Sequence, residues 1–363
     1  MHHKSWQPGV EAVLTAEFIA PDDPRWRQML EHVRHDFYHL PEYAALCSEQ
    51  EGGDAVAFYA ETGRNTFLVP LLAKRVALPP ARDGEWRDLA APYGYPSPLL
   101  LDPCDRTGLR EMMGAFRWVA REQGFVSAFV RLHPLLPLPN DVLQEYGEVV
   151  MHGETVSIDL TLSEELLWKQ IRRDRRSGIR KLVRQGFHVV MDAWGGLDEF
   201  IRIYRETMQR VKASEYYYFP RSYFSGLRAA LGERLHLCQV LSPGGRVAAA
   251  GLFVLTDGVV ELHLSGTATE YCRMGPSKLM LYEIGRAGKR AGASVMHLGG
   301  GVGGRRDTLF EFKAAFSPLR NPFGTYRMVL HRERYQELCR WWQQQSRNIP
   351  LNSDYFPLYR YSG

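Results

Sequence analysis

A mixed α/β chain of two domains, each built on a mixed sheet, is the fold that three features predict. At 363 residues the chain exceeds one ordinary domain and falls short of three. Strand-length apolar runs alternate with helical patterns through both halves. A stretch punctuated by Pro134, Pro137 and Pro139, residues 134–147, separates the halves, so the expected domains are 1–145 and 146–363.

The elements follow in order. Asp23-Pro24 opens a helical pattern in which Trp26, Met29, Leu30 and Val33 share a face, and a short helix runs from Pro41. Residues 55–60 and 66–72 read as a hairpin through Glu61-Thr62-Gly63-Arg64-Asn65. The prolines and glycine of 92–98 shape a loop, with Tyr93 and Tyr95 available to line a cleft. An amphipathic helix over 109–123 and a strand over 127–131 close the first half. The second half opens with a strand over 155–160. A single helix over 163–183 follows, capped by Ser163 with Glu164 and Glu165 in its first turn. A strand (188–193), two helices (197–208 and 223–231), a hairpin (235–241 and 246–256) and a strand (259–264) come next. Then a long helix (277–291) leads to a short strand (295–298), the glycine loop 299–304, a strand (325–330) and a helix containing Trp341-Trp342. No heptad segment long enough for a coiled-coil arm is present.

Composition bounds the function. Hydrophobic residues make up 45% and charged residues 24%, which is globular composition. A net charge of +4 is too mild for a bulk-electrostatic DNA binder. Eight of the 45 basic residues are lysine, so 37 are arginine, the side chain whose planar fork suits phosphate and carboxylate. Cys47, Cys104, Cys238, Cys272 and Cys339 are scattered and odd in number, which points away from disulfides and zinc. No His/Cys cluster has metal-ligand spacing, so no metal is expected. The first eight residues lack a signal peptide's apolar core, and no run reaches the roughly 18 to 20 apolar residues of a membrane span. A cytoplasmic protein without an integral membrane segment is the expectation.

Four places could carry chemistry. The glycine loop, with Gly300 and Gly301 followed by Arg305 and Arg306, could cradle phosphate through backbone N–H groups. Lys313, a rare lysine set beside Phe312 and Phe316, could steady a developing oxyanion; equally, its stem could pack on the rings with its head in water. Arg172, Arg176, Arg180 and Arg184 recur at helical spacing, a basic face suited to a polyanion such as RNA. Arg210 and the aromatics 216–219, Tyr216 and Tyr218 among them, could hold an anionic substrate by fork and stacking. His263 and His297 sit on strands beside apolar residues and read as core histidines. Asp36, Glu261 and Asp307 are acids without an evident partner.

The order of these motifs resembles the Fem-type branch of the GNAT acyltransferase superfamily. The resemblance runs from Phe37-Tyr38-His39-Leu40-Pro41-Glu42-Tyr43 and Pro92-Tyr93-Gly94-Tyr95, through Leu167-Trp168, Ile179-Arg180-Lys181 and Thr207/Arg210, to His297-Leu298-Gly299-Gly300-Gly301 and Phe312-Lys313. It implies two GNAT-like domains sharing a cleft, without the helical arm of some members. It also implies transfer of an aminoacyl group from aminoacyl-tRNA to an amine of a peptidoglycan precursor peptide, nucleotide-linked or lipid-linked. Phe312 and Lys313 then fall where the tRNA end meets the acceptor. Arg210 would contact the precursor, and Tyr216 or Tyr218 would supply a neighbouring tyrosine. A further family tyrosine falls near His263, and an early family lysine finds no equivalent near 47–51. No cofactor is implied, since the ester of the donor is already activated. The other acyl donor to weigh is acetyl-CoA, and Arg273-Met274-Gly275-Pro276-Ser277-Lys278 is its candidate pyrophosphate loop, weakened by the N–H that Pro276 lacks.

Overall fold

A computed structural model describes residues 15–81, 86–103, 105–345 and 354–361. Cys104 and the N-terminal residues considered above lie outside them. The chain divides into two compact units, Met1–His152 with Phe323–Gly363, and Gly153–Pro322.

In the first unit the strands are β1 (Thr15–Ile19), β2 (Asp54–Glu61), β3 (Thr66–Arg75), β4 (Arg87–Ala90), β5 (Leu99–Leu100) and β6 (Phe125–Arg131). Its helices are α1 (Pro24–His32), α2 (Pro41–Glu51), α3 (Arg106–Glu122) and α4 (Asn140–Gln144). Asp23 caps α1 by accepting from Arg25 N, with Pro24 in its first turn, as the sequence indicates. The strand pairs β1–β2, β2–β3 and β3–β4 are antiparallel, and α3 carries the chain over to β6, parallel to β4.

In the second unit β7 (Glu148–Asp159) is followed by α5 (Glu164–Gln170), α6 (Arg173–Arg184), β8 (His188–Met191), α7 (Leu197–Arg210) and α8 (Arg221–Leu231). Then come β9 (Leu235–Leu241), β10 (Val247–Thr256), β11 (Val259–Thr267), α9 (Ser277–Arg290), β12 (Val295–Gly299) and α10 (Thr308–Ala314). Strands β8, β9, β10 and β11 pair antiparallel in that order, and α9 crosses to β12, parallel to β11, with β7 antiparallel beyond. The hydrophobic side of α9, through Leu279, Met280, Leu281 and Ile284, packs on Val156, Ile158, Val260 and Met296.

The chain then returns to the first unit as β13 (Arg320–Val329) and α11 (Arg332–Gln345). The expected split at residue 145 had kept this tail with the second half. Its side chains explain where it goes: Tyr326, Met328 and Leu330 join the core of the first unit, and β13 pairs with β6. The last turn is fastened to buried Asp88, which accepts from Tyr359 Oη at 2.6 Å and Arg360 Nε at 2.7 Å.

A second difference bears on function. The single helix expected over 163–183 is two, because Ile171 and Arg172 adopt extended backbone between α5 and α6. Ile171 is buried in the core and Arg172 N donates to Ala315 O at 2.9 Å, so tertiary contacts override the helical pattern. Arg172 therefore stands outside the face formed by Arg176, Arg180 and Arg184.

Candidate active site

The candidate site lies in the second unit, where β11 ends, α9 begins and α10 packs alongside. A cavity of about 340 Å³ is lined by Arg175, Arg210, Thr267, Cys272, Arg273, Gly275, Ser277, Lys278 and Phe312. Arg175, Arg210, Arg273 and Lys278 carry positive charge there; no carboxylate is in the lining, and Asp174 beside it pairs with Arg175 at 3.7 Å. Such a cavity selects anions or groups that become anionic during reaction.

Local folding places each cation. Arg210 ends α7 and is fixed by three acceptors: Thr207 Oγ1 at 3.1 Å, Thr267 O at 3.2 Å and Thr269 Oγ1 at 3.3 Å. Thr207 Oγ1 also accepts from Thr267 N at 3.0 Å, so one threonine joins α7, the end of β11 and the arginine. Arg175 projects from the first turns of α6, its guanidinium 5.4 Å from the centre of the Phe312 ring. Lys278 folds back to donate to Met274 O at 2.9 Å. Burial and then the charge of Arg175 hold its pKa below the usual lysine range. Gly178 makes room for it, since a Cβ there would stand 2.8 Å from the lysine Nζ.

The backbone at the start of α9 has little left to offer an anion. Met274 N and Gly275 N both donate to Tyr271 O, Lys278 N donates to Gly275 O, and Leu279 N donates to Pro276 O. Pro276 has no N–H, and the positive φ of Gly275 turns the loop so that the Lys278 side chain fills its concavity. The full positive charges in this cavity come from the side chains of Arg175, Arg210, Arg273 and Lys278.

Lys313 sits one residue beyond Phe312 on α10. Its Nζ donates to Gly300 O at 2.7 Å, so the ammonium is tied to the glycine loop. Burial pushes its pKa down to about 8, against the opposing pull of Glu261 and Asp307. Behind it, Glu261 on β11 and His297 on β12 are register partners of the parallel pair, and the carboxylate meets His297 Nδ1 at 2.8 Å, both side chains buried.

The glycine loop itself is closed by Asp307. This carboxylate accepts from Val302 N at 2.9 Å within the loop and from Phe310 N at 2.9 Å as the cap of α10. A Cβ on Gly301 would overlap Asp307 and the Arg305 carbonyl, and one on Gly300 would come within 2.8 Å of Glu154 O. Arg305 Nε donates to Val302 O, and Arg306 pairs with Glu154 at 2.5 Å. Val302 N, one of the loop amides, thus serves Asp307.

The structure brings together Arg210 and Phe312, and places Lys313 beside the loop of Gly300 and Gly301. Arg176 and Arg180 lie along α6, Arg180 stacked on Trp168. Tyr216 and Tyr218 are exposed in the turn after α7, and Tyr217 O accepts from Tyr204 Oη. His263 is buried on β11 with Nε2 2.9 Å from Tyr223 Oη. Tyr93 and Tyr95 belong to the first unit: Tyr93 N donates to Glu51, and the Tyr95 ring packs edge-on against Tyr38 and Phe323. Sequence reasoning missed Arg175 as a site residue, although it lies inside the arginine run. It also left Glu261 and His297 unjoined, because their meeting depends on strand register.

Residues 169–313 match the family model of the acetyltransferase (GNAT) domain. The second unit is a GNAT acyltransferase domain. No curated protein sequence matches the chain. Among solved structures, FemX superposes with a TM-score of 0.69 at 13% identity, over 88% of this chain and 99% of its own. A C-terminal domain assigned to a lysylphosphatidylglycerol synthetase of Agrobacterium fabrum gives 0.53 at 16% identity, over 84% and 90%. L-PGS from Bacillus licheniformis gives 0.53 at 14%, over 85% and 93%. At these identities the likeness speaks for the fold, which is FemX-like. Among the described residues no helix is long and apolar enough to cross a membrane, and no group of His, Cys, Asp and Glu could hold a metal.

Proposed function

We propose that this GNAT domain is an aminoacyltransferase that moves an amino acid from aminoacyl-tRNA to an amine of a peptidoglycan precursor peptide, nucleotide-linked or lipid-linked, in the cytoplasm. The observation that carries the choice of donor is the start of α9. An acyl-CoA donor would seat its diphosphate on free amides at such a helix start. Here Pro276 has no N–H, Met274 N, Gly275 N, Lys278 N and Leu279 N are spent on Tyr271 O, Gly275 O and Pro276 O, and Lys278 fills the concavity. What remains is a cavity whose cations, Arg175, Arg210, Arg273 and Lys278, hold phosphates by side-chain forks and point charges.

In the proposed reaction the neutral amine of the acceptor attacks the ester carbonyl that links the amino acid to the terminal ribose of the tRNA. The tetrahedral intermediate gathers negative charge on the former carbonyl oxygen, and the Lys313 ammonium stabilises it. Collapse breaks the ester bond, and the ribose oxygen leaves with the proton given up by the attacking nitrogen. The ester is already activated, so holding both substrates in register supplies most of the remaining acceleration. Phe312, with the Arg175 guanidinium over its ring, forms an apolar wall of the cavity, one residue before Lys313 on α10. Incubation with charged total tRNA and a nucleotide-linked pentapeptide, read by mass spectrometry, tests the reading: the acceptor gains one aminoacyl residue. Acetylation of an amine from acetyl-CoA, with no product from charged tRNA, contradicts it.

A further inference from the structure

The outer side of α6 presents a second basic surface. A shallow groove of about 520 Å³ is lined by Trp168, Ser177, Ile179, Arg180, Val183, Arg184 and Tyr282. Trp168 and Tyr282 meet edge to face at 5.0 Å, and the Arg180 guanidinium lies 5.2 Å from the Trp168 ring centre. Both rings are partly exposed. No carboxylate lines the groove. Asp174 bridges Arg172 and Arg175 at the start of α6, but among the described residues no ion pair takes up Arg173, Arg176, Arg180, Lys181 or Arg184.

A comparison within the same unit shows that this is more than a common arginine–tryptophan stack. Arg228 lies 4.4 Å from the Trp194 ring centre in a separate depression. There the lining includes Asp198, ion-paired with Arg221, so the charge is balanced. On α6 the stacking rings instead coincide with a run of cations that lack counter-ions among the described residues.

We infer that the groove between α5, α6 and α9 is a docking surface for RNA, with a base stacked at Trp168 and Tyr282 and the adjoining phosphates held by Arg180 and Arg184. The inference rests on the proposed tRNA donor and says where its chain is gripped outside the reaction cavity. Successive arginines at i and i+4 stand about 6 Å apart along a helix axis, close to the step between neighbouring phosphates of one strand. Flat rings at a cationic groove accept any base face. An anionic membrane is the other polyanion to weigh. It would call for apolar side chains projecting from the surface, and here the rings lie in the groove lining, with Val183 alone exposed by more than half.

Binding of labelled, unacylated total tRNA, followed by fluorescence anisotropy across a salt series, tests the inference without requiring transfer. Arg180→Gln with Arg184→Gln should weaken binding and lower the log–log salt slope by about two, one for each phosphate no longer neutralised. Trp168→Ala should weaken binding about tenfold with the slope unchanged. Arg228→Glu, in the charge-balanced depression, should leave binding as it was. If wild type binds tRNA and the groove variants bind equally well, the groove is not the docking surface and the donor reading stands. If wild type binds no tRNA even at low salt, the donor reading falls and the groove with it. Groove-dependent binding to phosphatidylglycerol vesicles without tRNA binding would overturn the inference in favour of a membrane. Circular dichroism of each variant separates weakened binding from unfolding.

Discussion

The two units repeat one arrangement and finish it differently. In each, an antiparallel run of strands leads to a helix that crosses to a parallel neighbour: β2, β3, β4, α3 and β6 in the first unit, β9, β10, β11, α9 and β12 in the second. In the first, the start of the crossing helix is sealed by the protein's own carboxylate. Asp105 accepts from Thr107 N and Gly108 N at 3.0 Å and from Asn65 Nδ2 at 2.6 Å. In the second, α9 has no side-chain cap; Pro276 precedes it, and the cations of Arg175, Arg210, Arg273 and Lys278 gather there. The same helix start is an internally neutralised joint in one copy and a cluster of cations around a cavity in the other.

The largest effect expected from breaking this contrast is at Lys313. Lys313→Ala should lower kcat for transfer by about a hundredfold or more, as loss of one oxyanion donor does elsewhere, while the far-ultraviolet spectrum stays native. Next comes the cavity charge. Arg210→Ala or Lys278→Ala should raise KM for the charged tRNA by about tenfold, since each removes one charge-assisted bond to phosphate. A pH profile sharpens the role of Lys313. Burial pushes its pKa down to about 8, so the ammonium proposed to stabilise the oxyanion is lost as pH rises, and kcat should fall through about pH 8. A rate that instead rises through that range, with the rise lost in Lys313→Gln, would make Lys313 a base, since ionisation of the acceptor amine would persist in the variant. The smallest effect belongs to the sealed copy: Asp105→Ala should cost about 1 kcal/mol of stability in urea denaturation, the usual loss for a helix cap, with kcat unchanged.

Much of the fold was legible in the sequence because its signals are local. Asp23-Pro24, the 61–65 turn and Ser163 mark element ends through side-chain hydrogen bonds and fixed φ, which need no tertiary partner. Phe312, Lys313 and Arg210 were legible as candidates through residue type and order. The break at Ile171-Arg172 was not, since an apolar side chain entering the core and a bond to Ala315 O overrode a continuous helical pattern. Nor was the role of Asp307, an acid without an evident partner in sequence that fills the glycine loop once α10 folds onto it. The return of 323–361 to the first unit was hidden for the same reason, because Asp88 and Arg360 meet only across the folded sheet.

The proposed role of the cation-lined cavity at the start of α9 is to serve an aminoacyl-tRNA donor. The most direct measurement offers the protein charged total tRNA and acetyl-CoA in parallel, with a nucleotide-linked pentapeptide as acceptor, and weighs the products by mass spectrometry. A mass increase equal to one aminoacyl residue, dependent on the tRNA charge and on Lys313, is the expected result. An acetyl increment from acetyl-CoA with none from charged tRNA would contradict it.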